Sequence, residues 1–454
     1  MYGTNLCRNN AREETTYGLN FIDVGKTGAL TLPAQLDWAE SNIRAAAGRQ
    51  PEHNLVIVFV HGWFHSDAPA DRDVGRARDT LSWFADQHRG WHVEGVFVGW
   101  QAYTQWPTPL QYLTFWSKER NADALGNPDG GALPQIVARM EASVDLSKDN
   151  KLLFVGHSFG GRALLEATRQ TFLDRLNEAE NAWQHLGEPG SLPQRPVRGV
   201  GSLVILIEPA VTADPFIALF NRSNELYLAT VHDPVHHRPP IFAMNDRPLL
   251  LSVTSDADLA VKWALPLSTI VQTRPDESTQ LIHWDGPPSA ESSRTLTGTA
   301  LGHVDLMVTH RVEIDGNASE SCSNAKSIRY GGVDADLLTA PKEGLLPRGW
   351  WQCAVKDKSD HDPSTRAGSG IDDLVVPTSC ADIHHESKTS PFNPYWNAST
   401  HKTFIQGHSD FMDRAVIYFF NQMLFSAPYT NDQPGTACHY EGAYTAAYGN
   451  YERD

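Results

Sequence analysis

The chain lacks several features that would point to function directly. Its five cysteines, Cys7, Cys322, Cys353, Cys380 and Cys438, include no CxxC pair, so neither a zinc ribbon nor a thioredoxin-like motif is encoded. HExxH is absent too, and with it the commonest metalloprotease ligand spacing. A metal-dependent hydrolase built on histidines and aspartates near His232, His303 or His384 therefore has no motif behind it, and no cofactor or metal is expected. No stretch approaches the roughly 20 apolar residues of a membrane span, and the first ten residues, MYGTNLCRNN, lack the apolar core of a signal peptide. The chain reads as soluble, either cytoplasmic or exported with its leader already removed. Four cysteines fall in the last third, where two disulfides and four free thiols are equally consistent, and the Asn-x-Ser sites at Asn221, Asn317 and Asn397 do not decide the compartment. Basic residues are scarce: 37 Lys and Arg against 54 Asp and Glu give a net charge of -17. That disfavours nucleic acid or an anionic membrane surface as the main partner.

What is present is an alternation of apolar runs and amphipathic stretches. Tyr17 to Val24 reads as an edge strand and Pro33 to Ala47 as a helix with proline in its first turn. Leu55 to Val60 (LVIVFV) is apolar throughout, the pattern of a parallel strand covered on both faces. Arg76 to Arg89 predicts a helix, Val93 to Val98 a strand, Pro134 to Val144 a helix, and Leu152 to Val155, Ser202 to Ile207 and Leu249 to Thr254 further strands. The expectation is an α/β fold, a mostly parallel sheet flanked by helices. From about 285 to 400 the chain turns rich in Ser, Gly, Pro, Asp and His. It is expected to be a loop-rich insertion within one domain, 1–454, whose core is 17–270 and 402–425. Regular structure is expected to return with a strand at Thr403 to Gln406 and a helix from Phe411 to Leu424.

One motif organises the rest. Gly156-His157-Ser158-Phe159-Gly160 follows an apolar run and precedes a helical stretch, placing Ser158 on a tight turn from strand to helix. The flanking glycines spare that turn a clash between strand and helix. A serine hydroxyl is a weak nucleophile, so Ser158 needs a histidine to take its proton and a carboxylate to orient that histidine. Both should stand at C-terminal strand ends, where side chains distant in sequence meet at one edge of a parallel sheet. His408, between a glycine and the last helix, is preferred to His401 and His303. Asp258, in the turn Ser255-Asp256-Ala257-Asp258, is preferred to Asp256, with Glu208 at the end of the preceding strand as a third choice. The oxyanion formed on attack needs two backbone N–H donors, each contributing about 3 kcal/mol. Phe159, at the start of the helix, and Trp63, in the loop His61-Gly62-Trp63, are the candidates.

HGW after one strand, GHSFGG after a later one, SDAD after another and GHSD before a terminal helix resemble the α/β-hydrolase superfamily, over roughly residues 55–265 and 402–425. Esterase- and lipase-like bacterial members of undefined substrate carry similar HGW and GHSFGG loops. The resemblance implies a serine hydrolase cleaving carboxylic esters, with Ser158 as nucleophile, Asp258 as acid, His408 as base, and Phe159 and Trp63 at the oxyanion hole. Its substrate would be a small or lipid-like ester. An acyltransferase or amidase on the same triad, and a non-catalytic binding protein on this fold, are the alternatives. Asp258 and His408 lie 150 positions apart, far more than in compact members of the superfamily. The insertion between them brings Trp350, Trp351, Tyr395 and Trp396, which line the substrate pocket if it folds over the sheet edge and otherwise belong to a core.

Overall fold

The computed structural model describes residues 7–8, 16–47, 53–88, 90–104, 114–187, 196–231, 241–242, 248–258, 277–283, 287–313, 374–377, 382–386, 388–389, 393–402, 404–405, 407–408 and 414–425. Cys322, Cys353, Cys380, Cys438, Asn317, His232, Trp350 and Trp351 lie outside them.

The chain forms an α/β structure around one mostly parallel sheet. Its strands are β1 (Cys7–Arg8), β2 (Thr16–Val24), β3 (His53–Val60), β4 (Trp91–Trp100), β5 (Lys151–His157), β6 (Leu203–Ile207), β7 (Leu250–Ser255), β10 (His310–Glu313), β11 (Leu374–Pro377), β12 (Asp382–His385) and β13 (Tyr395–Thr400); β8 (Ser278–Leu281) and β9 (Ser289–Ser292) make a separate antiparallel ribbon. The order across the main sheet is β1-β2-β4-β3-β5-β6-β7-β13-β10-β12-β11. Every pairing from β2 to β10 is parallel, whereas β1 at one edge and β12 at the other are antiparallel to their neighbours and β11 turns back antiparallel to β12. The inner strands β3, β5, β6 and β7 are buried along almost their whole length, as expected for strands covered on both faces.

The helices are α1 (Pro33–Ala47), α2 (Arg72–Gln87), α3 (Phe115–Gly126), α4 (Ala132–Ser143), α5 (Phe159–Gln184), α6 (Asp214–Val231), α7 (Ser293–Gly298) and α8 (Arg414–Phe425). Among the described residues, no helix is long and apolar enough to cross a membrane. The path from β2 through α1 to β3 skips a place, β4 returns to fill it through α2, and from β5 onward the chain steps in the opposite direction. Right-handed crossovers then put α2 on one face and α1, α5 and α6 on the other. The reversal falls between β3 and β5, so the loops leaving their C-terminal ends diverge and open a crevice there. Residues 61–64 and Ser158 stand at that point.

Two expectations are corrected here. Residues 285–400 are not merely an insertion, because β13 and β10 from this stretch are strands of the central sheet, β13 lying directly between β7 and β10. And among the described residues the last strand is Tyr395–Thr400; of the strand expected at Thr403 to Gln406, Phe404 and Ile405 lie in turns, buried, and Thr403 and Gln406 lie outside the described residues. Tyr395 and Trp396 are core residues of β13. Tyr395 packs edge-on against Phe172 of α5, with ring centroids 5.5 Å apart, and Trp396 stacks on His310 of β10 at 3.9 Å.

Candidate active site

The turn at Ser158 is built by sterics. The serine joins β5 to α5 with φ 54° and ψ −122°, a left-handed backbone costly for any residue with a Cβ. The glycines around it are required by contact. A Cβ on Gly160 would stand 2.2 Å from the carbonyl oxygen of Val60, and one on Gly156 would stand 2.8 Å from that of Gly160. Strand β3, the turn and the first turn of α5 therefore touch backbone to backbone. The turn is also bonded across the sheet: the Ser158 N–H donates to the Ile207 carbonyl at 3.0 Å, and the Ser158 carbonyl accepts from the Ala210 N–H at 3.0 Å. Strain at this position is thus held by the surrounding bonds.

His408 reaches Ser158 because β13 lies beside β7. Thr400 pairs with Ser255 at the last position of that ladder, so the two chains leave the sheet side by side. The pairing continues beyond the strands. The Asp256 N–H donates to the Thr400 carbonyl at 2.9 Å, the Lys402 N–H to Asp256 Oδ1 at 2.9 Å, and the Ser255 hydroxyl to the Ile405 carbonyl at 2.7 Å. The chain between Asp258 and His408, 150 positions apart, leaves and rejoins the sheet at adjacent places. His408 Nδ1 lies 2.8 Å from Asp258 Oδ2, and its Nε2 lies 2.9 Å from Ser158 Oγ. With Asp258 ionised, the Nδ1–H donates to the carboxylate, leaving the Nε2 lone pair to accept the serine O–H. Asp258 is completely buried and Ser158 nearly so, whereas the His408 side chain is 26% exposed.

Of the competing acids, Asp256 is exposed and accepts from the Lys402 N–H, so it braces the turn. Glu208 is completely buried and accepts the Ser255 N–H at 3.0 and 3.2 Å. It approaches Asp258 without bonding His408. Burial, with a hydrogen bond and the charge of Asp258 beside it, pushes the Glu208 carboxyl well above the usual carboxylate range. The rival histidines lie elsewhere: His401 is half-buried with its Nε2 4.0 Å from Asp256 Oδ2, and His303 sits in a 3-10 turn.

The upstream loop presses on the serine. A Cβ on Gly62 would stand 3.0 Å from Ser158 Cβ and 2.8 Å from His157 Nδ1, so only glycine lets this backbone come so close. His61 is structural: its Nδ1–H donates to the Gly62 carbonyl at 2.9 Å and its Nε2 accepts the Trp100 N–H at 3.2 Å. Burial lowers its pKa to about 4, keeping it neutral. The Trp63 ring stacks on Phe64 at 4.1 Å and meets the buried Phe115 and Phe159 at 5.6 and 6.0 Å, packing this loop onto the core. The N–H of Phe159 is the first of α5 and has no carbonyl within the helix to receive it.

One contributor escapes the sequence reading. His157, within the quoted motif, donates from Nε2 to the His408 carbonyl at 2.8 Å, with ring centroids 4.9 Å apart. Burial, then the charge of His408, lowers its pKa well below the usual value, so it is a neutral donor that holds the His408 loop over the turn. Its signal was its place next to the nucleophile, but its partner lies 251 residues away.

Two clusters among the described residues have metal-binding composition: Glu208 with Asp258 and His408, and His65 with Asp71 and Asp73. In the second, Asp71 caps α2 by accepting the Asp73 N–H and the Ser66 N–H, each at 2.9 Å, and Asp73 pairs with Arg76 at 2.9 Å. Asp71 is thus the helix cap, and His65 Nδ1 bonds its Oδ1 at 2.8 Å. Comparison with known protein families, with curated proteins and with solved structures finds no match.

Proposed function

We propose that this protein is a serine hydrolase of the α/β-hydrolase fold that cleaves carboxylic esters through an acyl-enzyme. The observation that carries this reading is the continuous chain Asp258–His408–Ser158, with contacts of 2.8 and 2.9 Å, ending on a serine in a left-handed backbone. The chain order serine, aspartate, histidine is the one associated with this fold. Ser158 Oγ attacks the ester carbonyl while His408 Nε2 takes its proton, and Asp258 stabilises the imidazolium that forms. The oxyanion is received by the N–H groups of Phe159 and Trp63, the first aided by the N-terminal end of α5. His408 then protonates the departing alkoxide, and a water deprotonated by His408 hydrolyses the acyl-serine. The partly buried Trp63, in the loop pressed against Ser158, supports an apolar acyl or alcohol group on the substrate. Amide cleavage and transfer to a second alcohol use the same atoms, and a chain-length panel of p-nitrophenyl esters with added alcohol acceptors separates these outcomes.

The test is Ser158→Ala. Hydrolysis of p-nitrophenyl butyrate is expected to fall by about 10⁴-fold or more, with circular dichroism unchanged, and fluorophosphonate labelling is expected to vanish. Activity retained in the variant refutes the assignment, and a wild-type chain inert to both reagents favours a binding protein on the same fold.

A further inference from the structure

Asp258 shares its pocket with a second carboxyl group that the hydrolytic mechanism leaves unused. Glu208 and Asp258 are both completely buried, and one ligand atom from each, together with one from His408, lie within 4.8 Å of one another. Two carboxylates at that distance in a site closed to water cannot both carry charge without a large penalty. Asp258 accepts the Nδ1–H of His408, which favours its ionised form. The hydrogen bond that Glu208 accepts comes from a neutral backbone N–H, that of Ser255, so Glu208 is the member of the pair suited to hold the proton.

Its backbone points the same way. Glu208 adopts φ 45°, and of the four non-glycine residues with positive φ among those described, Phe64, Ser158 and Glu208 follow the C-terminal ends of β3, β5 and β6. A glutamate kept where glycine is cheapest has its side chain aimed by that conformation. We propose, on the hydrolase reading above, that Glu208 is a positioning residue: its protonated carboxyl donates a hydrogen bond to Asp258 and so holds Asp258 as the single charged partner of His408. The buried surroundings and the charge of Asp258, with a smaller contribution from exposed Asp256, keep the Glu208 proton in place.

The experiment compares Glu208→Gln, which keeps an N–H donor, with Glu208→Met, which fills similar volume without one. Glu208→Gln is expected to hold kcat for p-nitrophenyl acetate within about 3-fold, while Glu208→Met loses at least about 10-fold in kcat at unchanged KM. The melting temperature of Glu208→Met should stay level or rise, since an apolar side chain replaces a buried ionisable one. A merely structural glutamate would show the opposite pattern, with lower melting and unchanged kcat per folded molecule. A readout independent of turnover is the low-field Nδ1 proton of His408 by NMR, expected to match wild type in Glu208→Gln and to move in Glu208→Met. Equal kcat in the two variants, or a His408 signal indifferent to both, overturns the proposal. A wild-type chain without esterase activity whose His408 signal follows this pattern would refute the hydrolase reading and leave the Glu208–Asp258 assignment standing.

Discussion

Ser158 and His408, the proposed nucleophile and base, sit at the ends of strands of very different kinds. Ser158 follows β5, an apolar run whose turn is dictated within five residues by Gly156 and Gly160. His408 follows β13, whose sequence YWNAST is half polar yet buried along nearly its whole length. On the β5 side, geometry is local and strained. On the β13 side it comes from pairing with β7 across a long excursion, and the chain after the strand is held by the Asp256, Lys402 and Ile405 bonds. Ser158 is therefore placed by a motif and His408 by the fold, and loss of either should leave different traces.

The largest effect is expected where the two sides meet. Asp258→Asn puts an amide opposite His408 Nδ1 and favours the wrong tautomer, so kcat should drop about 10⁴-fold with melting little changed. Steady-state rates with a p-nitrophenyl ester, read beside a thermal melt, check both halves of that statement. Fold and activity separate here because Asp258 orients the imidazole while the β7–β13 ladder holds the chain.

Trp396→Ala tests the β13 side. The indole stacks on His310 at 3.9 Å and donates to the Asn393 carbonyl at 2.8 Å, locking β13 against β10. Truncating it should cost about 3–5 kcal/mol by urea unfolding. Activity should fall with stability, since the same strand delivers His408. A variant that loses stability but keeps full kcat at low temperature would show that the His408 loop is held by its bonds to Ser255, Asp256 and His157 alone.

This contrast also explains what could be read from the chain. The parallel strands from β3 to β7, the helices α2, α4 and α5, and Ser158, Asp258 and His408 as candidates for one site were legible because apolar runs and glycine turns carry their own signal, whereas α3 and α6 were not read. Strand β13 was not, because the polar residue at its middle finds its donor contacts only in the folded state: Asn397 is completely buried and its side-chain amide donates to the Leu301 and Met307 carbonyls at 3.1 and 3.0 Å. The reading therefore took a central strand for part of an insertion and moved the last strand to Thr403 to Gln406. His157 and Glu208 were visible as residues, but their partners were fixed by β6, β7 and the returning chain. Local sequence holds no record of such contacts.

The smallest predicted effect compares the two sides most directly, by making the same alanine-to-glycine exchange at each. At position 158, Ser158→Ala and Ser158→Gly both lack the hydroxyl, so their difference isolates the backbone. Relief of a left-handed conformation is worth roughly 1–3 kcal/mol, and glycine's greater freedom in the unfolded chain takes back about 0.5–1 kcal/mol. Ser158→Gly should therefore be the more stable of the pair by about 1 kcal/mol. Ala398 lies in the middle of β13, completely buried and paired with Val253 and His310 on its two sides. There Ala398→Gly relieves nothing, loses a buried methyl and adds the same unfolded-state freedom, so it should destabilise by about 1–2 kcal/mol. Opposite signs in chemical denaturation would mark the turn at Ser158 as strained and β13 as relaxed. Matching signs would mean that the bonds from Ile207 and Ala210 relieve the turn's strain, and that the two sides differ in sequence signal but not in stored energy.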